Sequence, residues 1–234
     1  MKSKVLLIIP AYNEAKTIVK ICQNAEKSEF DYVVINDGSS DDTGLICAQN
    51  NFNCINLACN LGIGGAVQTG YKYAMENNYD IAVQFDADGQ HDITYVEKIV
   101  RPISDGVADF TIGSRFTDKT LSEFNSTWAR RIGIKMISRL IKLFTGRKIL
   151  DTTSGFRAAN RKVIEKFAEN YPTEYPEPVS DFELLKYGYR VKEIPVKMHA
   201  REDGKSSIHS WKKGYYMVNV ILSIIIVQMR GKHE

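Results

Sequence analysis

The sequence predicts an α/β fold with a mainly parallel central sheet, on three observations. Short, continuous apolar runs rich in branched residues recur along the first half of the chain. Stretches with apolar residues at helical intervals separate them, and polar or charged residues collect where each run stops. Such runs read as strands buried on both faces, and their alternation with helices implies right-handed crossovers.

Residues 4–12, KVLLIIPAY, form the first strand, stopped by Pro10. Asn13 is placed to cap a helix over 15–25, where Ile18, Ile21 and Cys22 fall at helical intervals. The second strand is 32–35, followed by a turn at 38–40 and a helix that starts at Asp41 or Asp42 and runs to Gln49. A third strand lies near Ile55 and a third helix over 64–76. The fourth strand is 81–85, and a helix around 95–100 leads to the fifth at 109–115. Past Arg115 the rhythm changes to a long helical stretch over 128–145, then further strands at 154–159 and 189–198. These later elements are expected on the open edge of the sheet. With no internal repeat and no linker rich in Gly, Pro or Ser, residues 1–210 read as one domain and 211–234 as a C-terminal helix.

A chain of 234 residues can bury one sizeable core, and 44% hydrophobic with 25% charged residues excludes a disordered chain. A net charge of +3 does not imply a nucleic-acid partner. Cys22, Cys47, Cys54 and Cys59 lack Cys-x-x-Cys spacing, and nothing like a signal peptide precedes Val5. The expectation is a reducing, cytoplasmic setting with ordinary thiols.

In an open parallel sheet, ligands bind beyond the carboxyl ends of the strands. Tyr12 and Glu14 follow the first strand, Asp37 and Ser39 the second, Asn60 and Gly62 the third, Asp86 and Asp88 the fourth, and Arg115 the fifth. Turns and caps explain any one of these. They do not explain two acids two residues apart after an apolar strand, which face one side and repel unless a cation joins them. Hard oxygen donors at Asp86 and Asp88, next to Gln90, suit Mg²⁺ or Mn²⁺, which would bridge nucleotide phosphates. His91 reads as a surface or outer residue rather than a ligand.

The stretches IPAYNEA (9–15), VVINDGSSDDT (33–43), NLGIGGAVQTGY (60–71), FDADGQH (85–91), GSR (113–115) and DTTSGFRA (151–158) together resemble family 2 glycosyltransferases. Within them the chain is similar to polyprenyl-phosphate sugar transferases of the dolichol-phosphate mannose synthase type. The resemblance implies the A-type, Rossmann-like glycosyltransferase fold and a metal-dependent enzyme. It implies that Pro10, Tyr12, Glu14, Asp37, Gly64 and Ala87 help hold the nucleotide, and that Asp86, Asp88 and Gln90 hold metal and diphosphate. Arg115 and Arg131 would meet the acceptor phosphate, and Arg201 and Lys205 would close over the donor diphosphate. The pattern has an acid after the second proline of YPEP, where Val179 stands here.

Between 128 and 148 lie Arg130, Arg131, Lys135, Arg139, Lys142, Arg147 and Lys148 and no acid, interleaved with apolar residues. Such a basic amphipathic helix fits an anionic membrane surface, against the alternative of a core helix with solvated charges. The run 215–229 is too short to span and is interrupted by Asn219 and Gln228. It is expected to lie in the interface, or to pair with a small membrane protein or a second copy; a core helix is the plain alternative. A membrane reading makes a lipid acceptor natural, and with the resemblance it implies a peripheral enzyme at the inner membrane face acting on a nucleotide sugar and a polyprenyl phosphate.

A polyprenyl phosphate is already anionic, so attack on the anomeric carbon, with inversion, needs alignment and charge screening more than a general base. Asp151 is the candidate base, with orientation of Arg157 or Thr153 as the alternative. The donor expectation favours UDP-glucose or UDP-N-acetylglucosamine over GDP-mannose. Rival readings are transfer to a sugar hydroxyl, a non-catalytic membrane-binding module, and a nicotinamide enzyme. Gly62, Gly64 and Gly65 fail the last, because the third glycine of G-x-G-x-x-G would fall at Val67.

Overall fold

The computed structural model describes residues 3–118, 128–198 and 212–230. Its first half follows the alternation above: β1 (Val5–Ala11), α1 (Ile18–Glu26), β2 (Asp31–Asn36), α2 (Thr43–Gln49), β3 (Cys54–Asn56), α3 (Gly62–Glu76), β4 (Ile81–Gln84), α4 (Val96–Ser104) and β5 (Phe110–Ser114). The second half is α5 (Trp128–Thr145), β6 (Arg157–Asn160), α6 (Arg161–Glu169), α7 (Pro176–Lys186), β7 (Val191–Pro195) and α8 (Lys212–Met229). The seven strands form one sheet in the order β3-β2-β1-β4-β6-β5-β7.

β1 is buried along its whole length because it lies between β2 and β4 and is covered on both faces. Leu6 and Ile8 point into a core shared with α3 and α6, and Val5, Leu7 and Ile9 into one shared with α1 and α4. Period-two alternation along one strand thus feeds two cores. Gly70 lets α3 lie directly on β1, since a Cβ there would sit 2.1 Å from Ile8 Cγ2.

Three expectations change. β6 is not added at the edge: it inserts antiparallel between β4 and β5, pairing Val83 with Ala158 and Thr111 with Ala158. Only β7 extends the edge, parallel to β5. Asn13 does not cap α1. Its backbone is left-handed, at φ 58°, and its Oδ1 accepts from the Ser40 and Asp41 N–H groups, lacing the β1 loop to the β2 loop. Two helices, α6 and α7, are added to those expected. α6 carries a plain signal, with Asn160 Oδ1 accepting from Val163 N and Val163, Ile164, Phe167 and Ala168 buried on one side. α7 carries almost none, because it is buried nearly all round and starts with two prolines in its first turn.

α8 packs against α7 and α5, with Val220, Ile224 and Val227 in the same core as Leu6 and Ile8. Among the described residues, no helix is long and apolar enough to cross a membrane.

Candidate active site

The carboxyl ends of β1, β2, β4 and β5 carry the predicted residues to one edge of the sheet. Pro10 is buried within β1, while Tyr12 just beyond it is half exposed. Glu14 is set in place by two bonds: its N–H donates to Thr43 Oγ1 at 2.9 Å, and its Oε2 accepts from Thr17 Oγ1 at 2.9 Å. Asp37, 3% exposed, accepts the Leu61 N–H at 2.7 Å, tying the end of β2 to the entry of α3. Asp41 sits beside them. Burial opposes its charge, but bonds from Thr43 and the Ala15 N–H outweigh that and hold its carboxyl below the ordinary range.

Gly64 is explained by packing. The carbonyl oxygens of Pro172 and Thr173 lie 2.5 Å from where its Cβ would be, so the loop before α7 rests on the first turn of α3.

Asp86 and Asp88 follow β4 directly. Asp86 Oδ1 accepts from Gln84 Nε2 at 3.2 Å, and its N–H donates to His91 Nδ1 at 3.0 Å. His91 is buried, not a surface residue: it stacks on Phe156 at 4.8 Å, with Nε2 3.7 Å from Asp86 Oδ2. Gly155 leaves space for Asp86, since a Cβ there would stand 2.5 Å from Oδ2. Asp88 Oδ1 accepts the Gln90 N–H at 3.0 Å, so the bond seen at Gln90 comes from its main chain. Ala87 is buried between the two acids. Among the described residues no three acids, histidines or cysteines cluster as a metal cage. Two carboxylates in a crevice fit a hard divalent ion that takes its remaining ligands from phosphate and water.

Arg115 and Asp151 form a buried pair. Arg115 Nε and its N–H donate to Oδ2 at 2.8 and 3.0 Å, and Nη2 donates to Oδ1 at 2.7 Å and to Thr153 Oγ1 at 3.0 Å. Asp151 is fully buried with both oxygens engaged by Arg115; Thr153 Oγ1 also donates to its Oδ1 at 3.4 Å, as the orienting alternative expected, while Arg157 pairs with Asp181 instead. Glu193 on β7 accepts the N–H groups of Leu150 and Asp151, both at 2.8 Å, and so holds the loop that holds Arg115. Arg131 falls on α5 with its side chain outside the described residues, and Arg201 and Lys205 lie outside them altogether.

Sequence reasoning offered Arg157 only as a partner of Asp151 and missed the α7 residues that meet it beneath this edge. Arg157 is fully buried on β6, donating to Asp181 Oδ2 at 3.2 Å and to Ser180 Oγ at 2.8 Å on α7. Burial pushes the Asp181 carboxyl up to about 8 against the pull of Arg157. Glu177, in the first turn of α7, is also raised by burial, with Arg157 opposing and the charge of Asp86 pushing the same way. The acid between two prolines was the available signal.

The sequence profile of glycosyl transferase family 2 matches residues 6–168. The fold and the family agree: the chain belongs to glycosyl transferase family 2, and the protein is a glycosyltransferase. It is 33% identical over 214 residues to UDP-N-acetylglucosamine--dolichyl-phosphate N-acetylglucosaminyltransferase of Methanococcus voltae, covering 82% of this chain and 84% of that one. It is 26% identical over 219 residues to polyprenol monophosphomannose synthase of Mycolicibacterium smegmatis, covering 88% and 81%. Among solved structures, glucosyl-3-phosphoglycerate synthase of Mycobacterium tuberculosis, in complex with Mn²⁺, UDP-glucose and phosphoglyceric acid, superposes with a TM-score of 0.73 at 16% identity, over 99% of this chain and 81% of that one. The architecture is the A-type glycosyltransferase fold.

Proposed function

We propose that the protein transfers a hexose, with inversion, from a nucleotide diphosphate sugar to a polyprenyl phosphate at the inner face of the cell membrane. UDP-glucose or UDP-N-acetylglucosamine are the favoured donors, with GDP-mannose the alternative. The observation that carries the reading is the meeting of Asp37, Asp86, Asp88 and the Arg115–Asp151 pair at one sheet edge. The similarity to two polyprenyl-phosphate enzymes supports the acceptor.

In this reading Pro10, Tyr12, Glu14 and Asp37 hold the nucleoside, and Asp86, Ala87 and Asp88 face the diphosphate, with Gln90 beside them. Mg²⁺ or Mn²⁺ held by the two acids supplies charge neutralisation for the departing diphosphate. Arg115, its orientation set by Asp151, and Arg131 align and screen the acceptor phosphate; Arg201 and Lys205 cover the donor. A phosphate nucleophile arrives deprotonated, which suits an Asp151 that has no oxygen left for a base's work. Residues 1–210 supply the catalytic domain, and α8 together with α5 the membrane-facing surface.

The test combines two measurements. Uridine and guanosine diphosphates are compared for divalent-dependent protection against heating, and membranes given a panel of radiolabelled sugar nucleotides are extracted into organic solvent. Protection by one nucleotide with a labelled phosphoglycolipid is expected. Label in a water-soluble saccharide with none in the lipid would favour a hydroxyl acceptor, and no protection by either nucleotide would sink the enzymatic assignment.

A further inference from the structure

We propose that α8 relays contact with an anionic lipid surface to the donor site, and that Tyr175 is the positioning residue through which the relay passes. The inference rests on the functional reading above for the place and ligand of the donor site and for the membrane-facing side of α5 and α8.

α8 is fastened to both ends of α7. At the start of α7, the Tyr175 ring meets Tyr216 edge to face at 4.7 Å, and Asn219 Nδ2 donates to Tyr175 Oη at 3.3 Å. At its end, Lys186 Nζ donates to the carbonyls of Val227 at 2.6 Å and Gln228 at 3.1 Å, closing the last turn of α8. Buried Val220, Ile224 and Val227 fill the space between. A shift of α8 therefore pulls on α7 at two points.

Tyr175 is also where the backbone is strained. Its φ of 53° places a bulky residue in the left-handed region, which persists only when the surroundings hold it, and α8 supplies two of those contacts. Immediately before it, the Pro172 and Thr173 carbonyls press on Gly64 at the first turn of α3. Two residues after it, Glu177 stands in the first turn of α7, the helix whose Ser180 and Asp181 accept hydrogen bonds from buried Arg157. Movement at Tyr175 would thus shift the loop that rests on Gly64, at the entry of α3 that is tied to Asp37.

The outer side of α8 is what a surface would touch. Val218, Leu222, Ile225, Ile226 and Met229 are exposed there without a charge among them. Adjoining α5 presents Lys135, Arg139 and Lys142 on the same side of the helix as exposed Ile132, Met136 and Leu143. Apolar surface beside cations, with no acid anywhere from 128 to 148, matches an anionic lipid interface, whereas a second copy would bring like charges together.

The test uses the full chain with phosphatidylcholine vesicles, with and without phosphatidylglycerol. Co-sedimentation, amide hydrogen exchange over residues 173–181, and affinity for the favoured nucleoside diphosphate with Mn²⁺ are read together. Anionic vesicles are expected to bind, to slow exchange over 173–181 about fivefold or more, and to tighten nucleotide binding by a similar factor. Tyr216→Leu and Asn219→Ala should keep vesicle binding and lose both responses, while Tyr216→Phe keeps them. Wild-type protein that binds vesicles with unchanged exchange would overturn the relay, as would full responses in Tyr216→Leu, or self-association in place of vesicle binding. The wild-type exchange decides the matter even if a variant fails to fold. Intact responses without any sugar transfer to lipid would sink the functional reading and leave the relay standing.

Discussion

Asp88 is buried and accepts the Gln90 N–H, which together set its direction before any ligand arrives. Asp88→Asn keeps the shape and removes the charge. Transfer is expected to fall about a hundredfold or more, the loss of a few kcal/mol of transition-state stabilisation, with the melting temperature near wild type. Activity within a few-fold of wild type would remove the metal role. Asp109 offers a separate test of electrostatics far from the site. Hydrogen bonds from Arg190, at 2.8 and 3.0 Å, hold its carboxyl at about 2, below the ordinary 3.8. Because the folded value lies below the unfolded one, this stabilisation is complete above the unfolded pKa and drains away as pH falls through the folded one. The melting-temperature gap between wild type and Asp109→Asn should therefore be constant near neutrality and close between about pH 4 and pH 2. A gap that widens on acidification would contradict the pairing.

At the scale of elements, α7 braces β6 beneath the candidate site. It carries Ser180 and Asp181 onto Arg157, and it is held to the sheet by those buried contacts. Removing Asp181 takes a hydrogen-bond acceptor from the buried Arg157 guanidinium, so Asp181→Ala is expected to cost about 3 kcal/mol or more in denaturant unfolding. Replacing both, as Arg157→Met with Asp181→Leu, should recover most of that cost. A double variant no more stable than the single one would mean that the pair does more than balance itself. The inserted β6 has a similar part: running antiparallel between β4 and β5, it brings Gly155 against Asp86 and Arg157 beneath α7.

For the whole molecule, the proposed lipid-facing side is a mixed surface. On α5 the exposed stripe alternates apolar Ile132, Met136 and Leu143 with Lys135, Arg139 and Lys142, while Ile134, Ile137 and Ile141 anchor the helix to the core. Each exposed basic residue near an anionic bilayer contributes about 1 kcal/mol, so changing all three to Gln should weaken vesicle binding about a hundredfold at low salt. Co-sedimentation with anionic vesicles checks it, and equal binding by the triple variant would place the contact elsewhere. Truncation is the poorer experiment, because α8 contributes Val220, Ile224 and Val227 to the core and its loss would expose α5 and α7.

The strand-and-helix alternation, the acids after β4, the aspartate after β2 and the acid-free helix α5 were all legible in the sequence, because local periodicity and strand-end chemistry are written in neighbouring residues. Tertiary structure alone decided that β6 runs antiparallel inside the sheet, that Asp151 pairs with Arg115, and that Asp181 meets Arg157. Each of these joins residues far apart in the chain, and α7, buried nearly all round, has no exposed face from which a pattern could be read.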